Sequence, residues 1–533
     1  MARNKTRKKK IEGHSKKISV AIVTGILLVS LLFVVQRVTS PSSNVIDTQA
    51  AAQIAWPMFD GDAQKSGVNT SETIVTTNTV KSLKQLWQTT LPEASDGSPI
   101  YLSNVTTQQG FKNLIFITTE GGSLVAIDDA TGTKVWQQDT QGSSGVITSS
   151  PVLDPGFQFV YSYGKDGKVH KYSVGSGSEN TTGGWPFTAT SIPNVEKGSS
   201  ALTIGNGYLY VSISAYVGDN GNYVGHIAAK NLTTGATSVF NVLCSSTKQL
   251  LSGNCGSSQA GVWGRPGAIV DPVSGNVFIS SGNGSYAPPN NLGDSVVELS
   301  PDLSKVIDTY TTNNFQTLDN ADEDLGSTMP AMIPTQKTNP PNIAVQGGKD
   351  DKIRVLNRQN LSGQNAPYHV GGELQTLSVN CNIFSQPIGW VDGNGTTWVF
   401  VTDMCDSLYA YKVVNSKLQQ VYEKDNIGRS SPFLVNNMLF LQKSGTVTAL
   451  DPATGNVLWT GNVGSMHWQS PIVINGHVLV LTNDDKLTAF GTGISPTLST
   501  PPMPTLLPSP TAPPITPTYY ILQLGPPGTT KTP

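Results

Sequence analysis

Apolar and polar positions follow a pattern that the chain repeats. Residues 124–136, LVAIDDATGTKVW, and 447–459, VTALDPATGNVLW, share Ala, Asp, Ala, Thr, Gly and Trp at the same places. In each copy apolar side chains alternate up to the Asp, as in a half-buried strand. The Asp, Thr and Gly then predict a tight turn, because glycine permits a positive φ. A second short strand ends in Trp136 or Trp459, and we expect each large ring to cover the apolar face of a neighbouring sheet.

Weaker copies of this strand–turn–strand pattern occupy residues 226–240, 296–308, 353–363 and 408–422. A second recurring phrase, a small or polar pair followed by apolar residues, predicts the innermost strand of each unit. Its eight occurrences are GSPIYL from Gly97, SSPVLD from Ser149, SSALTI from Ser199, RPGAIV from Arg265, STMPAMI from Ser327, SQPIGW from Ser385, SSPFLV from Ser430 and QSPIVI from Gln469. Eight units of four strands, spaced by roughly 40 to 65 residues, predict an all-β fold: an eight-bladed β-propeller of four-stranded antiparallel blades over residues 56–491.

The sequence also predicts how the ring closes. The last unit stops at Gly491, before any outer strand that carries a Trp. The segment LKQLWQTTL, residues 83–91, has that Trp-bearing pattern and precedes the first unit. Since a closed ring leaves no open sheet edge, we expect the strand of Trp87 to complete the eighth blade.

The N-terminus has the pattern of a membrane anchor. Residues 1–17 contain eight Lys or Arg, and no charged residue occurs from Ile18 to Val35. Such a stretch is long enough to cross a bilayer, and basic residues mark the cytoplasmic side. We therefore predict a transmembrane signal-anchor helix at 18–36, a linker at 37–55, and a propeller outside the cytoplasm at the cell membrane. A cleaved signal peptide is the rival interpretation.

Beyond the propeller, residues 492–533 contain twelve Pro and ten Thr, which predicts a disordered tail. The net charge of −2 and a charged fraction of 13% give no field that would attract nucleic acid. Four cysteines agree with export, because disulfides persist outside the cytoplasm. Of the three possible pairings we favour the two local ones, Cys244 with Cys255 and Cys381 with Cys405.

The motif Ala-x-Asp-x-x-Thr-Gly-x-x-x-Trp resembles the repeat of the pyrroloquinoline quinone (PQQ)-like propeller superfamily. Residues 56–69, WPMFDGDAQKSGVN, resemble the opening segment that is common there, and the resemblance covers about residues 56–491. The superfamily contains quinone- and calcium-dependent alcohol dehydrogenases, and also scaffold propellers that bind no cofactor. The resemblance therefore implies the fold and leaves two kinds of function open.

The resemblance to the dehydrogenases implies a set of site residues. Trp263, in VWGRPGAIV, would stack beneath the planar quinone, and Asn283, in SSGNGS, would offer its side-chain oxygen to Ca²⁺. Asp322 or Asp324, in DNADEDLGSTMP, would act as the general base that takes a substrate hydroxyl proton. Lys349, in QGGKDDKIRVLNR, would contact a quinone oxygen.

Two features of these dehydrogenases are missing. The stretch AYVGDNGNYVGHIAA has no Glu to serve as the second calcium ligand, so that Asp219 or Asn220 would have to substitute. No pair of adjacent cysteines occurs. The same residues also have simpler interpretations: inter-blade packing for Trp263, a turn for Asn283, a solvated or calcium-binding acidic loop for Asp322 and Asp324, and a hairpin tip for Lys349.

The sequence thus supports two hypotheses. The first is a membrane-anchored, extracytoplasmic propeller that binds or scaffolds an unidentified protein or small molecule. The second is a PQQ- and calcium-dependent dehydrogenase of alcohols or sugars. The anchor, the tail and the incomplete calcium set favour the first hypothesis slightly.

Overall fold

The computed structural model describes residues 53–216 and 221–493, which form eight antiparallel sheets arranged as the blades of a β-propeller. The predicted basic segment, the anchor helix and the tail from residue 494 onwards lie outside the described residues, as do Asp219 and Asn220. No helix within 53–216 and 221–493 combines the length and apolar character needed to cross a membrane.

The first four blades follow one another along the chain, each from its innermost strand outward. The strands of blade 1 are Ile100–Thr107, Gly110–Thr118, Leu124–Asp128 and Lys134–Gln138, and those of blade 2 are Val152–Leu153, Phe159–Tyr163, Lys168–Ser173 and Phe187–Thr188. Blade 3 contains Glu196–Gly198, Thr203–Gly205, Tyr208–Ala215, His226–Asn231 and Thr237–Asn241, and blade 4 contains Ile269–Val270, Val277–Ser280, Ser295–Leu299 and Val306–Thr311.

The remaining blades continue this order, and the last one borrows its outer strand. Blade 5 contains Ala331–Met332, Ile343–Gln346, Lys352–Asn357 and Gln375–Ser378, and blade 6 contains Ile388–Val391, Thr397–Thr402, Leu408–Val414 and Lys417–Lys424. Blade 7 contains Phe433–Val435, Met438–Lys443, Thr446–Leu450 and Val457–Asn462, and blade 8 contains Ile472–Ile474, His477–Thr482, Lys486–Gly491 and Lys84–Thr90.

A few short elements decorate the blades. Ala55–Trp56 pairs with the first strand of blade 1, and Val68–Asn69 pairs in parallel with the first strand of blade 7. The other short elements are the hairpin Tyr286–Ala287 and Asn291–Leu292, the α-helix Phe315–Ala321, and the 3-10 helices Val80–Ser82 and Leu325–Ser327.

The eight recurring phrases form a ring where the innermost strands begin. Ser98 donates from its backbone N–H to Ser150 Oγ (2.9 Å) and from its hydroxyl to the carbonyl of Ser470 (3.2 Å), so that blade 1 is joined to both neighbours. Farther round, the Gln386 N–H donates to Ser431 Oγ (2.9 Å). The serine hydroxyls of the phrase thus form hydrogen bonds that link one blade to the next.

The Asp-Thr-Gly turns have the same geometry in both strong copies. The N–H groups of Gly132 and Gly455 donate to the carbonyls of Asp128 and Asp451, each at 2.8 Å. Both glycines have positive φ, 71° and 68°, which other residues rarely adopt. A Cβ on Gly132 would also lie 2.6 Å from the ring of Trp87, so the turn needs glycine for two reasons.

Outer-strand aromatic residues join blades 1, 6 and 8 to the following blade at this turn. Trp136 of blade 1 donates from Nε1 to the carbonyl of Val174 in blade 2 (3.0 Å), and Trp87 of blade 8 donates to the carbonyl of Asp129 in blade 1 (2.9 Å). Tyr422 of blade 6 makes the equivalent bond to blade 7. These aromatic residues therefore contact the neighbouring sheet, as the sequence predicts for Trp136.

The ring closes with the beginning of the chain. Lys84–Thr90 pairs antiparallel with Lys486–Gly491, with Trp87 opposite Ala489. This is the pairing that the sequence predicts for residues 83–91. The indole N–H of Trp459 also bonds the Leu83 carbonyl (3.3 Å), so blade 7 holds the borrowed strand as well.

The leading segment crosses the opposite end of the axis. The carbonyls of three of its residues accept 2.8 Å hydrogen bonds from innermost strands of the propeller. The N–H groups that donate are those of Leu153 and Val270, the last residues of the innermost strands of blades 2 and 4, and of Leu434 in blade 7; they bond to Pro57, Ala63 and Gly67, respectively. Asn69 donates from Nδ2 to the carbonyl of Val473 in blade 8 (2.7 Å). Residues 55–69 therefore close the propeller at the end where the innermost strands finish.

Apolar side chains fill the spaces between blades rather than one central core. Within the described residues, one buried cluster joins blades 1 and 2, another joins blades 5 and 6, and a third joins blades 7, 8 and 1. Cys244 is bonded to Cys255 and Cys381 to Cys405, as the favoured local pairings predict.

Candidate functional site

A cavity of about 290 Å³ opens at the end of the axis where the innermost strands begin. Four of the residues predicted from the sequence line it: Trp263, Asp322, Asp324 and Lys349. Trp263 precedes the innermost strand of blade 4, Asp322 and Asp324 precede that of blade 5, and Lys349 follows the second strand of blade 5. Convergence on one axis is what brings residues almost ninety positions apart into one cavity.

Lys349 forms the charged centre of this group. Its ammonium lies 3.0 Å from Asp322 Oδ1 and also contacts Asp324 Oδ2. The two carboxylates differ, since the Asp322 side chain is 66% exposed and that of Asp324 only 4%. The ammonium also lies 5.3 Å from the centre of the Trp263 ring, within cation–π range. Lys349 lies in the hairpin loop between Ile343–Gln346 and Lys352–Asn357, and it is also an ion-paired residue of the cavity.

The short helix Phe315–Ala321 positions the two carboxylates. Asp322 follows the helix in the left-handed conformation (φ 56°), and the Glu323 N–H returns to the carbonyl of Leu318 (3.0 Å). This turn reverses the chain, so that Asp324 points inwards at the start of Leu325–Ser327 while Asp322 stays at the mouth.

Asn283 lies directly against the buried carboxylate. Its backbone N–H donates to Asp324 Oδ1 (2.6 Å), and the residue is buried. The glycine before it is required by this approach, because a Cβ on Gly282 would lie 2.2 Å from that same oxygen. The Gly-Asn-Gly sequence is compatible with a turn, and its first glycine also allows Asp324 to approach the backbone closely.

Burial and charge set the protonation of this group. Burial raises the pKa of Asp324, and the Lys349 ammonium offsets only part of that effect. Burial disfavours the Lys349 ammonium, but the carboxylates of Asp324 and Asp322 outweigh it and raise the Lys349 pKa. Lys349 therefore remains a cation at neutral pH, and Asp324 binds a proton more readily than an ordinary aspartate.

Three aromatic rings form one wall of the cavity, and only one of them was predicted. Phe384 lies 5.5 Å from Trp263 and 5.4 Å from Trp468 between ring centres, and Trp263 lies 6.3 Å from Trp468. All three side chains are partly exposed. They reach the cavity from the segments before the innermost strands of blades 4, 6 and 8.

A buried ion pair supports this wall from behind. Arg265 contacts Asp96 Oδ2 (2.5 Å), and its guanidinium lies 4.2 Å from the ring centre of Trp468. Asp96 also accepts from the Trp468 N–H (3.1 Å) and contacts His467 Nδ1 (2.9 Å). A single carboxylate of blade 1 thereby fixes Arg265 of blade 4 and Trp468 of blade 8.

A sequence signal for these additional residues does exist. Three positions before the Pro of the innermost-strand phrase, blades 2, 4, 6 and 8 carry cavity-lining side chains, namely Thr148, Trp263, Phe384 and Trp468. The same position in blade 1 is Asp96. Aligning the seven phrases that contain a Pro on that residue, rather than on their strands, identifies the axial positions.

The family model described as outer membrane protein assembly factor BamB, a PQQ-like repeat family, matches residues 60–255 and 396–494, more than half of the chain. The chain belongs to this PQQ-like β-propeller repeat family. No curated protein sequence matches it.

Solved structures place this PQQ-like propeller among proteins of the same fold. It superposes on the quinohemoprotein alcohol dehydrogenase ADHIIG from Pseudomonas putida HK5 with a TM-score of 0.61 at 13% identity, covering 82% of this chain and 80% of that one. The quinohemoprotein alcohol dehydrogenase from Comamonas testosteroni gives 0.61 at 15%, covering 85% and 83%. A europium-containing methanol dehydrogenase gives 0.60 at 14%, covering 82% and 98%. At such identities the likeness concerns the fold alone.

The oxygen donors that the described residues place beside Asn283 do not by themselves fit calcium. Ca²⁺ takes six to eight oxygen ligands. Beside Asn283 the described part of the cavity offers Asp324, whose Oδ1 accepts the Asn283 N–H and whose Oδ2 contacts the Lys349 ammonium. Residues 53–216 and 221–493 contain no group of three or more His, Cys, Asp or Glu placed to hold a metal. The predicted ligands Asp219 and Asn220 lie outside those ranges.

The ring wall, by contrast, fits a flat organic molecule. Partly exposed Trp and Phe side chains offer π-faces at ordinary stacking distances, and the cavity is blind because residues 55–69 close the other end of the axis. Trp263 and Lys349 are the residues that would meet the ring plane and the oxygen atoms of a planar quinone, a group that supplies hydride-accepting chemistry when bound.

Proposed function

We propose that the protein is a membrane-anchored, extracytoplasmic binding propeller that holds a small flat molecule, or a flat side chain of a partner protein, in its axial cavity. The observation that carries this proposal is the wall of three partly exposed rings, Trp263, Phe384 and Trp468, at the mouth of a blind cavity. Sites of this kind, mostly apolar with a few convergent polar groups, are typical of small-molecule binding.

The charged groups support binding without a metal. Lys349 contacts both Asp322 and Asp324 and so provides the positive charge that a calcium ion would otherwise bring to these carboxylates. An organic ligand can then enter without the assembly of a cation site, and the protein needs no catalytic base to carry out its role.

A quinone-dependent dehydrogenase is the second candidate. The observation that favours it is that Trp263, Asp324 and Lys349, which were predicted from separate motifs, line one cavity. In that case Asp324, whose pKa is raised by burial, would hold the substrate hydroxyl proton.

Binding and turnover measured on the same preparation separate these candidates. Full-length protein in detergent would be titrated with PQQ, with and without Ca²⁺, and with flat aromatic compounds of one to three rings, by calorimetry. Dye-linked oxidation of an alcohol and sugar panel would be recorded in parallel. We expect ring compounds to bind without calcium, no oxidation, and loss of binding in Trp263→Ala.

Trp390→Ala is the matched control, because Trp390 lies in the innermost strand of blade 6 and does not line the cavity. Calcium-dependent quinone binding with alcohol oxidation would replace the proposal by the second candidate. If no ring compound binds at millimolar concentration, the cavity is not a small-molecule site.

The membrane location needs its own test. The uncharged stretch Ile18 to Val35 after a basic segment and the two disulfides support an anchored, extracytoplasmic propeller. We expect cysteine-blocking reagent applied outside intact cells to label the propeller after reduction, and protease to release it. A propeller that becomes accessible only after the cytoplasmic membrane itself is broken would lie in the cytoplasm.

A further inference from the structure

Three polar groups lining the axial cavity have no hydrogen-bond partner among the described residues. Lys197 is 7% exposed, and its ammonium makes no hydrogen bond or ion pair there; it lies only 5.8 Å from the ring centre of Tyr216. Ser199 Oγ and Trp468 Nε1 are buried atoms that likewise have no partner. Lys197 and Ser199 flank Gly198 at the axial position of blade 3.

The other two cations of the cavity are already neutralised. Arg265 is held by Asp96, and Lys349 is held by Asp322 and Asp324. Lys197 is the cavity cation that makes no ion pair with a carboxylate in the described part of the chain, although Asp96 and Glu120 act on it from farther away. Buried charges in proteins are normally paired, because desolvation of an unpaired charge is costly.

All three groups can donate hydrogen bonds, and the ammonium and the indole N–H can do nothing else. A molecule that satisfied them would therefore present acceptors, and the ammonium favours an acceptor that is negatively charged. The volume of about 290 Å³ lies at the lower end of ligand cavities, which favours one or two rings over three.

We propose that the ligand of the axial cavity is a flat carboxylate of one or two rings, whose carboxylate is bound by Lys197 and Ser199 while its ring packs on the aromatic wall. This inference rests on the proposed binding function and adds the charge and size of the ligand. Lys197 is then the residue that determines specificity, and Trp263 supplies ring affinity that is indifferent to charge.

The groups that surround Lys197 agree with this role. Burial and the positive charge of Arg265 lower the Lys197 pKa to about 8, and Asp96 and Glu120 oppose them. Lys197 is thus mostly protonated at neutral pH but holds its proton weakly. A bound carboxylate would stabilise the ammonium, so that ligand affinity falls as pH rises through about 8.

Matched ligands isolate the charge. Full-length protein in detergent would be titrated by calorimetry at pH 7 with 2-naphthoate and with 2-naphthamide, which share a ring system and differ in charge. We expect the carboxylate to bind at least ~10-fold more tightly, since hydrogen bonds to charged groups are the stronger ones. Lys197→Met should abolish that preference and leave naphthamide binding unchanged.

Lys230→Met is the control, because Lys230 is a buried lysine of the same blade that lies over Trp185 and does not line the cavity. Equal affinities for the two compounds would overturn the carboxylate inference and leave the binding function standing. Failure of both compounds to bind would contradict the binding function itself. A preference that survives in Lys197→Met would show that another cation selects the ligand.

Discussion

At the rim of the propeller, blades 8, 1 and 6 each present an outer-strand aromatic side chain to a backbone carbonyl of the following blade, whereas at the axis the residue at one phrase position ranges from Asp and Thr to Phe and Trp. Trp87 and Trp136 both donate to the carbonyl next to the turn of the following blade. Three positions before the phrase Pro, however, blade 1 has Asp96, blade 4 has Trp263 and blade 6 has Phe384.

The difference follows from how many neighbours each position meets. A rim residue contacts only the next blade, so that one solution can be used again in every blade. Axial residues from all blades converge on one volume, and eight identical side chains would clash or leave that volume unfilled. We infer that the repeated contacts at the rim stabilise the fold and that the varied residues at the axis form the site. Substitutions at the rim and at the axis should therefore have different effects.

The largest effect should come from opening the ring. Deletion of Lys84–Thr90 removes the outer strand of blade 8 and exposes the edge of Lys486–Gly491, together with the contacts of Trp87 and Trp459. We expect the melting temperature to fall by ~10 °C or more, measured by calorimetry.

Side-chain changes on the same strand serve as the control. Lys84→Ala with Gln85→Ala should leave the melting temperature nearly unchanged, because both side chains are exposed and the backbone pairing remains. A deletion variant that melts like the full protein would mean that the borrowed strand does not close the ring.

Next in size is the loss of one rim contact. Trp136→Ala removes a buried ring between blades 1 and 2 and its hydrogen bond to Val174. We expect a loss of ~3–5 kcal/mol in the free energy of unfolding, measured by urea denaturation. Trp136→Phe, which keeps a ring but not the donor, should lose less, and equal losses would show that the hydrogen bond matters more than the packing.

The rim could be predicted from the sequence because its pattern is local. Alternation, the Asp-Thr-Gly turn and the terminal Trp lie within thirteen residues, and each corresponds to a structural element that forms there. The eight innermost strands and the closure by residues 83–91 followed from counting such units. The alternation of apolar residues along a strand indicates which face of its sheet is buried, and every blade buries its faces against its neighbours in the same way.

The axial site could be predicted only in part. Trp263, Asn283, Asp324 and Lys349 carry a resemblance in their own segments, and the structure brings them together. The contact between Asp96 and Arg265 joins residues 169 positions apart, and no local sequence pattern predicts it. Which side chains meet at the axis depends on the closed ring. The phrase alignment marks the positions of Phe384 and Trp468 but not their contacts, and it does not mark Lys197 because the blade 3 phrase has no Pro.

At the axis, a change that harms the site should help the fold. Lys197→Met removes a buried ammonium that has no hydrogen-bond or ion-pair partner among the described residues. We therefore expect the free energy of unfolding of the variant at pH 7 to exceed that of the natural protein by ~2–3 kcal/mol. The natural protein should gain stability between pH 8 and 10.5, because there the unfolded chain binds more protons than the folded one.

The advantage of Lys197→Met should therefore shrink as pH rises through this window, as followed by denaturation at several pH values. Lys305→Met, at an exposed lysine of blade 4, should change stability by less than ~0.5 kcal/mol at every pH. Destabilisation by Lys197→Met at pH 7 would indicate a partner for Lys197 in the folded protein.

The smallest effect should separate the two carboxylates that share Lys349. Asp322→Asn changes a side chain that is 66% exposed, and we expect less than ~0.5 kcal/mol in the free energy of unfolding, because solvent screens such pairs. Asp324→Asn changes a buried acceptor of both the Asn283 N–H and the ammonium, and we expect a loss of ~1–3 kcal/mol. The two changes are isosteric, so that their difference reports burial and not shape. Equal effects on the free energy of unfolding would mean that Lys349 binds both carboxylates in a solvent-screened setting. Burial at the axis would then not make Asp324 more sensitive to substitution than an exposed residue.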